Sequence, residues 1–206
     1  MDSLPHHVIC LGNSITLHYP LDDVNWYSQH GMAASKPEND YCHVLEKLLH
    51  RHNDASTVTA FNFSDWERNF DLNVDSVLRE PLQGKDIIVI RIGENVRNVE
   101  RFSEALSRVV EYCQQYTPNV VLTSMYWPHA GKELAIMTNA RKYGLRYVPI
   151  YWIWNLFQEE CSPKEGDILY NVKGEPYPIK GKFILTHPND KGMYLIAKSI
   201  YSVIGR

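Results

Sequence analysis

Short runs of apolar residues alternate along the chain with segments in which apolar residues recur every three or four positions. The clearest run covers residues 86–92 (Asp-Ile-Ile-Val-Ile-Arg-Ile), which is apolar on both faces, as a central strand of a parallel sheet is. Four further runs predict strands at residues 7–11, 57–63, 119–123 and 146–150. Helical periodicity predicts helices after the N-capping residues Asp40 and Asn98, over residues 133–143 and over residues 190–203. This alternation predicts a three-layer α/β/α sandwich with a five-stranded parallel sheet.

Two long segments lack a clear period. Residues 19–39 are polar and rich in aromatics, which predicts a loop. Residues 158–182 mix proline, glycine and charged residues, and we expect a long loop there with room for a short hairpin. The sequence shows neither an internal repeat nor a linker, so residues 1–206 are expected to form a single domain.

Composition narrows the range of functions. Lys and Arg number 21 against 24 Asp and Glu, so the formal net charge is −3, and the absence of a basic excess argues against nucleic-acid binding. The four cysteines are far apart and the histidines have no paired ligand spacing, so no metal site is expected. No run approaches the ~20 apolar residues of a membrane span. The N-terminus lacks the features of a signal peptide, which makes a cytoplasmic location the default expectation. The sequence predicts no oligomeric state.

Three short polar motifs lie where this architecture would bring them together. Residues 12–16 (Gly-Asn-Ser-Ile-Thr) follow the first strand, and residues 93–95 (Gly-Glu-Asn) follow the central strand. Residues 186–189 (Thr-His-Pro-Asn) come directly before the last helix. Ligands of open α/β sheets bind outside the carboxyl ends of the strands, so we expect the three motifs to meet at one rim.

The residue types in these motifs suit acyl transfer. A serine hydroxyl is a weak nucleophile and needs an adjacent base, and Ser14 and His187 are the candidates for these two roles. The side-chain amide of Asn95, together with the Ser14 backbone N–H, could stabilise the developing oxyanion.

These blocks resemble those of the SGNH (GDSL-type) hydrolase superfamily of esterases and lipases. Ser14 in Gly-Asn-Ser matches the first block, Asn95 in Gly-Glu-Asn matches the third, and His187 followed by Pro188 and Asn189 matches the last. The matches come in order and span nearly the whole chain. The resemblance implies a flavodoxin-like α/β/α fold and hydrolysis of carboxylic esters with no cofactor.

The chain departs from the family pattern at the second block, which normally supplies a glycine whose N–H completes the oxyanion hole. Here residues 61–68 (Phe-Asn-Phe-Ser-Asp-Trp-Glu-Arg) contain no glycine. Because the donor is a backbone group, the N–H of Ser64 or Asp65 could serve in its place, and Gly31 is a weaker substitute.

A second departure concerns the group that orients the imidazole. The family usually has Asp three residues before the histidine, but position 184 is Ile. In a triad, disabling that carboxylate costs ~10⁴ in rate. Three alternatives follow: a backbone carbonyl holds the ring in a Ser–His dyad, a carboxylate comes from Asp167, Glu94 or Asp190, or activity has been lost.

Aromatic residues are dense in the segments expected near the rim. They are Trp26, Tyr27, Tyr126, Trp127, Trp152 and Trp154. Trp26 and Trp127, with Asn13 beside the nucleophile, are the candidates for substrate binding, and aromatic faces favour an acetylated sugar as the ester. The alternative function is a catalytically silent domain that binds glycans through this aromatic rim. A flavodoxin-type cofactor site is disfavoured, because residues 12–16 are too poor in glycine and hydroxyls for a phosphate loop.

Overall fold

A five-stranded parallel sheet forms the centre of the computed structural model, which describes residues 4–205. Its strands are β1 (His7–Gly12), β2 (Thr57–Asn62), β3 (Ile87–Ile90), β4 (Val120–Thr123) and β5 (Arg146–Val148). They lie in the order β2-β1-β3-β4-β5, the order of flavodoxin-like doubly wound sheets. The five predicted strands are therefore confirmed, with ends that differ by one or two residues. Residues 1–3, part of the N-terminal stretch that lacks the features of a signal peptide, lie outside the described residues.

Helices cover both faces of the sheet. They are α1 (Tyr41–Leu49), α2 (Ser64–Arg68), α3 (Val74–Leu78), α4 (Val99–Cys113), α5 (Ala130–Lys142), α6 (Tyr151–Cys161) and α7 (Asp190–Ile204). One apolar core joins α1, α6 and α7 to one face of the sheet, and a second core joins α2 to α5 to the other face. The predicted three-layer α/β/α sandwich is confirmed.

The central strands supply both cores because successive side chains of a strand point to opposite faces. In β1, Val8 and Cys10 enter the first core, while Ile9 and Leu11 enter the second. All four residues of β3 are buried in the same alternating manner. This double burial explains why the strands read as continuous apolar runs.

Side-chain caps fix where several helices begin. The Asp40 carboxylate accepts the His43 N–H, and the Asn98 side chain accepts the Arg101 N–H, so both predicted caps are confirmed. The Asn189 side chain accepts the N–H groups of Lys191 and Gly192, which starts α7 three residues after His187.

A third apolar cluster lies outside the two main cores. It contains Trp26, Met32, Ala33, Leu169, Ile179 and Ile184. It joins the loop of residues 19–39 to a small antiparallel hairpin, β6 (Ile168–Tyr170) and β7 (Pro176–Pro178), and to a 3₁₀ turn at Ile184–Thr186. The hairpin expected within residues 158–182 is thus present, but α6 extends into the start of that segment.

All four cysteines of the sequence fall within the described residues and are buried free thiols. Across residues 4–205, no helix is both long enough and apolar enough to cross a bilayer.

Gly93, three residues beyond β3, has a backbone conformation that side chains resist. Its φ is +134°, and an added Cβ would lie 2.7 Å from the Cγ and Sδ atoms of Met125. We expect Gly93→Ala to lower the free energy of unfolding by about 1–3 kcal/mol from backbone strain, with a further loss from the clash. Gly144→Ala is the matched control, because Gly144 has φ +62° but open space around its Cα. Urea denaturation of both variants tests this, and an equal loss at the two positions would contradict it.

Candidate active site

The predicted nucleophile and base lie in contact. The Ser14 Oγ is 2.8 Å from the His187 Nε2, although the two residues are 173 positions apart. Ser14 lies on the turn after β1, which is closed where the N–H groups of Thr16 and Leu17 donate to the Asn13 carbonyl. The Met32 N–H donates to the Ser14 carbonyl at 2.8 Å. These bonds fix the backbone of the turn that carries the Ser14 hydroxyl.

A backbone carbonyl orients the imidazole. The His187 Nδ1 lies 3.0 Å from the Phe183 carbonyl oxygen and 3.4 Å from the Thr186 Oγ1. A carbonyl only accepts hydrogen bonds, so the proton sits on Nδ1 and leaves the Nε2 lone pair to accept the Ser14 hydroxyl proton. The arrangement matches the Ser–His dyad among the alternatives drawn from the sequence.

The three carboxylates considered as orienters bond to other groups. Asp167 accepts the Lys164 N–H, and Asp190 accepts the N–H and the hydroxyl of Ser35. Glu94 pairs with Arg91 at 2.7 Å. Ile184 turns its side chain into the third apolar cluster and is fully buried there. The position where the family has Asp is therefore part of the packing.

The environment of His187 keeps the ring neutral. Burial lowers its pKa to about 4, and the hydrogen bond to Phe183 offsets this only in part. The Trp127 ring meets the imidazole edge-on, with centroids 5.3 Å apart, and its Nε1 donates to the Thr186 carbonyl. An imidazole that is neutral at pH 7 can act as a general base.

A buried polar cluster joins the turn after β1 to the turn after β3. Arg91 donates to the Glu94 carboxylate at 2.7 Å and also to the Asn13 Oδ1, while the Asn13 Nδ2 donates to Glu94 at 2.7 Å. Burial alone would raise the pKa of Glu94, but Arg91 and the hydrogen bonds outweigh it and lower the pKa. The cluster couples the backbone next to Ser14 to the backbone next to Asn95.

This cluster corrects the role predicted for Asn13. Its side chain is fully buried, and both ends of its amide are bonded to the charged residues of the cluster. Asn13 therefore supports the turn and does not face a substrate.

Asn95 lies beside the Ser–His pair, as predicted. Its side-chain Nδ2 donates to Glu67 at 2.8 Å, and the same nitrogen carries a second hydrogen. Asn95 also lines the cleft that opens above Ser14. A donor in this place is suited to an oxyanion.

The cleft has a volume of about 500 Å³. Its lining consists of Ser14, Asn95, Trp127, Pro128, Trp154, Phe183, Thr186 and His187. These residues are aromatic, neutral polar or proline. Trp127 is one of the predicted substrate-binding residues, and Trp154 is one of the aromatic residues expected near the rim. Phe183 was not predicted to line the cleft, and the one sequence feature that points to it is its position four residues before His187.

Trp26 does not reach the cleft, which corrects its predicted role in substrate binding. Its ring is fully buried in the third apolar cluster, its Nε1 donates to the His18 carbonyl, and it packs edge-on against His30. A large apolar ring gains more by burial here than by exposure on a loop.

Two of the backbone donors proposed for the oxyanion hole already have partners. The Ser64 N–H donates to the Asn62 Oδ1 at 2.9 Å, and the Gly31 N–H donates to the Asp40 carboxylate at 3.2 Å. The role of the Asp65 N–H as the second oxyanion donor stays a prediction.

Within residues 4–205, no group of three or more His, Cys, Asp or Glu side chains is placed to hold a metal ion.

Comparisons with known proteins give a structural likeness. No sequence model of a protein family matches the chain, and no curated protein does. The acetylxylan esterase Axe2 from Geobacillus stearothermophilus is similar over 100% of this chain and 97% of its own, with a TM-score of 0.65 at 12% identity. LAE5, an alpha/beta hydrolase enzyme from the metagenome of Lake Arreo, is similar over 96% of this chain and 94% of its own, with a TM-score of 0.64 at 14% identity.

A third similar structure is larger. A two-domain esterase, CEX, active on acetylated mannans and co-crystallised with mannopentaose, is similar over 96% of this chain but only 48% of its own, with a TM-score of 0.64 at 19% identity. At these identities the likeness establishes a shared α/β fold, the fold of known esterases.

Placing an aspartate at position 184, where the resembled family has one, tests whether this side chain belongs to the apolar cluster. We expect Ile184→Asp to bury an unpaired charge in an apolar cluster and lower the free energy of unfolding by about 3–5 kcal/mol. Ile184→Val, the control, should lose only about 0.5–1.5 kcal/mol. Thermal and urea denaturation measure both. An Ile184→Asp variant as stable as Ile184→Val would show that the side chain can leave the cluster, contrary to this account.

Proposed function

We propose that this chain is a carboxylic ester hydrolase in which Ser14 is the nucleophile and His187 is the general base. The observation that carries the proposal is the 2.8 Å contact between the Ser14 Oγ and the His187 Nε2 at the floor of an open cleft. The Phe183 carbonyl fixes the tautomer that this chemistry requires.

Acylation begins when the Ser14 Oγ attacks the ester carbonyl carbon while its proton passes to the His187 Nε2. The Ser14 N–H and the free Nδ2 hydrogen of Asn95 stabilise the oxyanion of the tetrahedral intermediate. The intermediate collapses as Nε2 returns the proton to the leaving alcohol, and Ser14 keeps the acyl group. Water then attacks the acyl-serine in the same way, which releases the acid and restores the Ser14 hydroxyl.

The cleft supports an acetylated carbohydrate as the substrate. The rings of Trp127 and Trp154 and the half-exposed ring of Phe183 offer apolar faces on which a sugar ring can stack. The Trp127 ring is held by its hydrogen bond to the Thr186 carbonyl, so it binds without losing further freedom. The similar esterases Axe2 and CEX are described as acting on acetylated xylan and acetylated mannans.

Removal of the nucleophile should remove most of the activity. We expect the wild-type protein to cleave p-nitrophenyl acetate and Ser14→Ala to lower kcat by about 10³-fold or more, to the residual rate that the oxyanion hole and binding supply. Ser202→Ala, which removes an exposed hydroxyl on α7, is the matched control and should keep full activity. Equal rates for the wild type and Ser14→Ala would reject the proposed function.

The pKa of His187 sets the acid limit of the reaction. Because the pKa is lowered to about 4, the imidazole should stay neutral and kcat/KM should stay level down to about pH 5. The unfolded chain binds this proton more tightly, so stability falls as pH drops from about 6.5 toward 4. Initial rates of acetate release from pH 4 to 8, taken where circular dichroism shows native protein, test the expected pH dependence of kcat/KM. An acid limb centred near 6.5 would contradict it.

A further inference from the structure

Glu67 lies on α2, in the segment where the resembled family has its second-block glycine. Its side chain is almost completely buried. One carboxylate oxygen accepts the Gly93 N–H at 2.6 Å and the Asn95 N–H at 3.3 Å, and the other accepts the Asn95 Nδ2 at 2.8 Å. Asn13 donates to the first oxygen at 3.3 Å. A single carboxylate thus holds both the backbone and the side chain of Asn95.

Every group that is hydrogen-bonded to this carboxylate is a donor. An ionised carboxylate only accepts hydrogen bonds, so it selects the amide orientation of Asn95 in which Nδ2, and not Oδ1, points toward Glu67. We propose that Glu67 is a positioning residue that fixes the Asn95 amide with a nitrogen-bound hydrogen available to the oxyanion. The inference rests on the proposed function of Ser14 and Asn95.

The surroundings balance the charge of Glu67. Burial, followed by the nearby Glu94, raises the pKa of Glu67, and the donors from Asn95 and Gly93 oppose that rise. Arg91 pairs with Glu94, and the Lys132 Nζ donates to the Glu94 carbonyl at 3.2 Å. The cations Arg91 and Lys132 therefore lie close to the carboxylates Glu67 and Glu94, next to the proposed oxyanion site.

The helix that carries Glu67 is itself fixed. The Asn62 side chain accepts the Ser64 N–H at the start of α2, and the Arg68 guanidinium donates to the Ser64 hydroxyl. The Trp66 ring stacks on Phe63 with centroids 5.4 Å apart and is buried in the second core. A rigid support of this kind is what a side chain needs if it is to hold another within a fraction of an ångström.

Replacement of the carboxylate by an amide removes this selection. A Gln side chain has nearly the same shape, but its NH₂ group meets the N–H donors of Gly93 and Asn95 or forces the Asn95 amide to turn its Oδ1 inward. The first outcome leaves the backbone N–H of Asn95 without an acceptor and shifts the residue, and the second turns its amide. Both move the Nδ2 hydrogen away from the oxyanion, which forms only during the reaction. We therefore expect kcat to fall while KM changes little.

A double-mutant cycle on p-nitrophenyl acetate hydrolysis tests the inference. We expect Glu67→Gln to lower kcat by about 10²-fold, as a misplaced catalytic group does, and Asn95→Ala to lower it by about 10²–10³-fold. Since Glu67 is proposed to act through Asn95, the double variant should be no slower than Asn95→Ala alone. Additive losses, or a Glu67→Gln variant with wild-type kcat, would overturn the inference.

Three controls separate the possible causes. Glu104→Gln removes an exposed carboxylate on α4 and should leave kcat unchanged. If Glu67→Gln does not fold, Glu67→Asp keeps an acceptor-only group and goes through the same cycle with Asn95→Ala, where non-additive losses are again expected and additive losses overturn the inference. If Ser14→Ala matches the wild type, the proposed function fails. If Ser14→Ala is inactive while Glu67→Gln keeps wild-type kcat, the inference alone fails.

Discussion

The buried ion pair between Arg91 and Glu94 is the constraint on which the candidate site depends. Two charges taken out of water cost several kcal/mol each unless their hydrogen-bonding capacity is met. Asn13 meets part of that capacity from the turn after β1, and the Tyr126 N–H meets more from the segment after β4. The pair therefore links the carboxyl ends of three strands. It fixes the distance between Ser14, the proposed nucleophile, and Asn95, the proposed donor to the oxyanion.

Much of the fold follows from the sequence because the strands of a doubly covered parallel sheet are apolar on both faces. The runs at β1 and β3 carry this signature, and the capped helices α1 and α4 carry a clear helical period. The helix α6 escaped prediction because Tyr151–Cys161 opens with aromatic and β-branched residues, which favour strands. The helices α2 and α3 are five residues each, too short to show a period.

The sequence predicts those parts of the candidate site that depend on the type of a side chain and on the order of the motifs along the chain. Ser14, Asn95 and His187 meet as the three motifs indicated. The orienting group was not identified in advance, because the Phe183 carbonyl is a backbone atom that any residue could supply. Glu67 was read only as part of a block without glycine, since no local pattern shows that its carboxylate is buried against Asn95.

The central claim is that Ser14 is an activated nucleophile, and an active-site probe tests it most directly. A fluorophosphonate reacts with serines whose hydroxyl is activated by a base. The account predicts one equivalent of label per chain, located on the peptide that contains Ser14 and lost in His187→Ala. A folded protein that takes up no label at Ser14, and that still binds a glycan saturably, would contradict the account and indicate a silent binding domain.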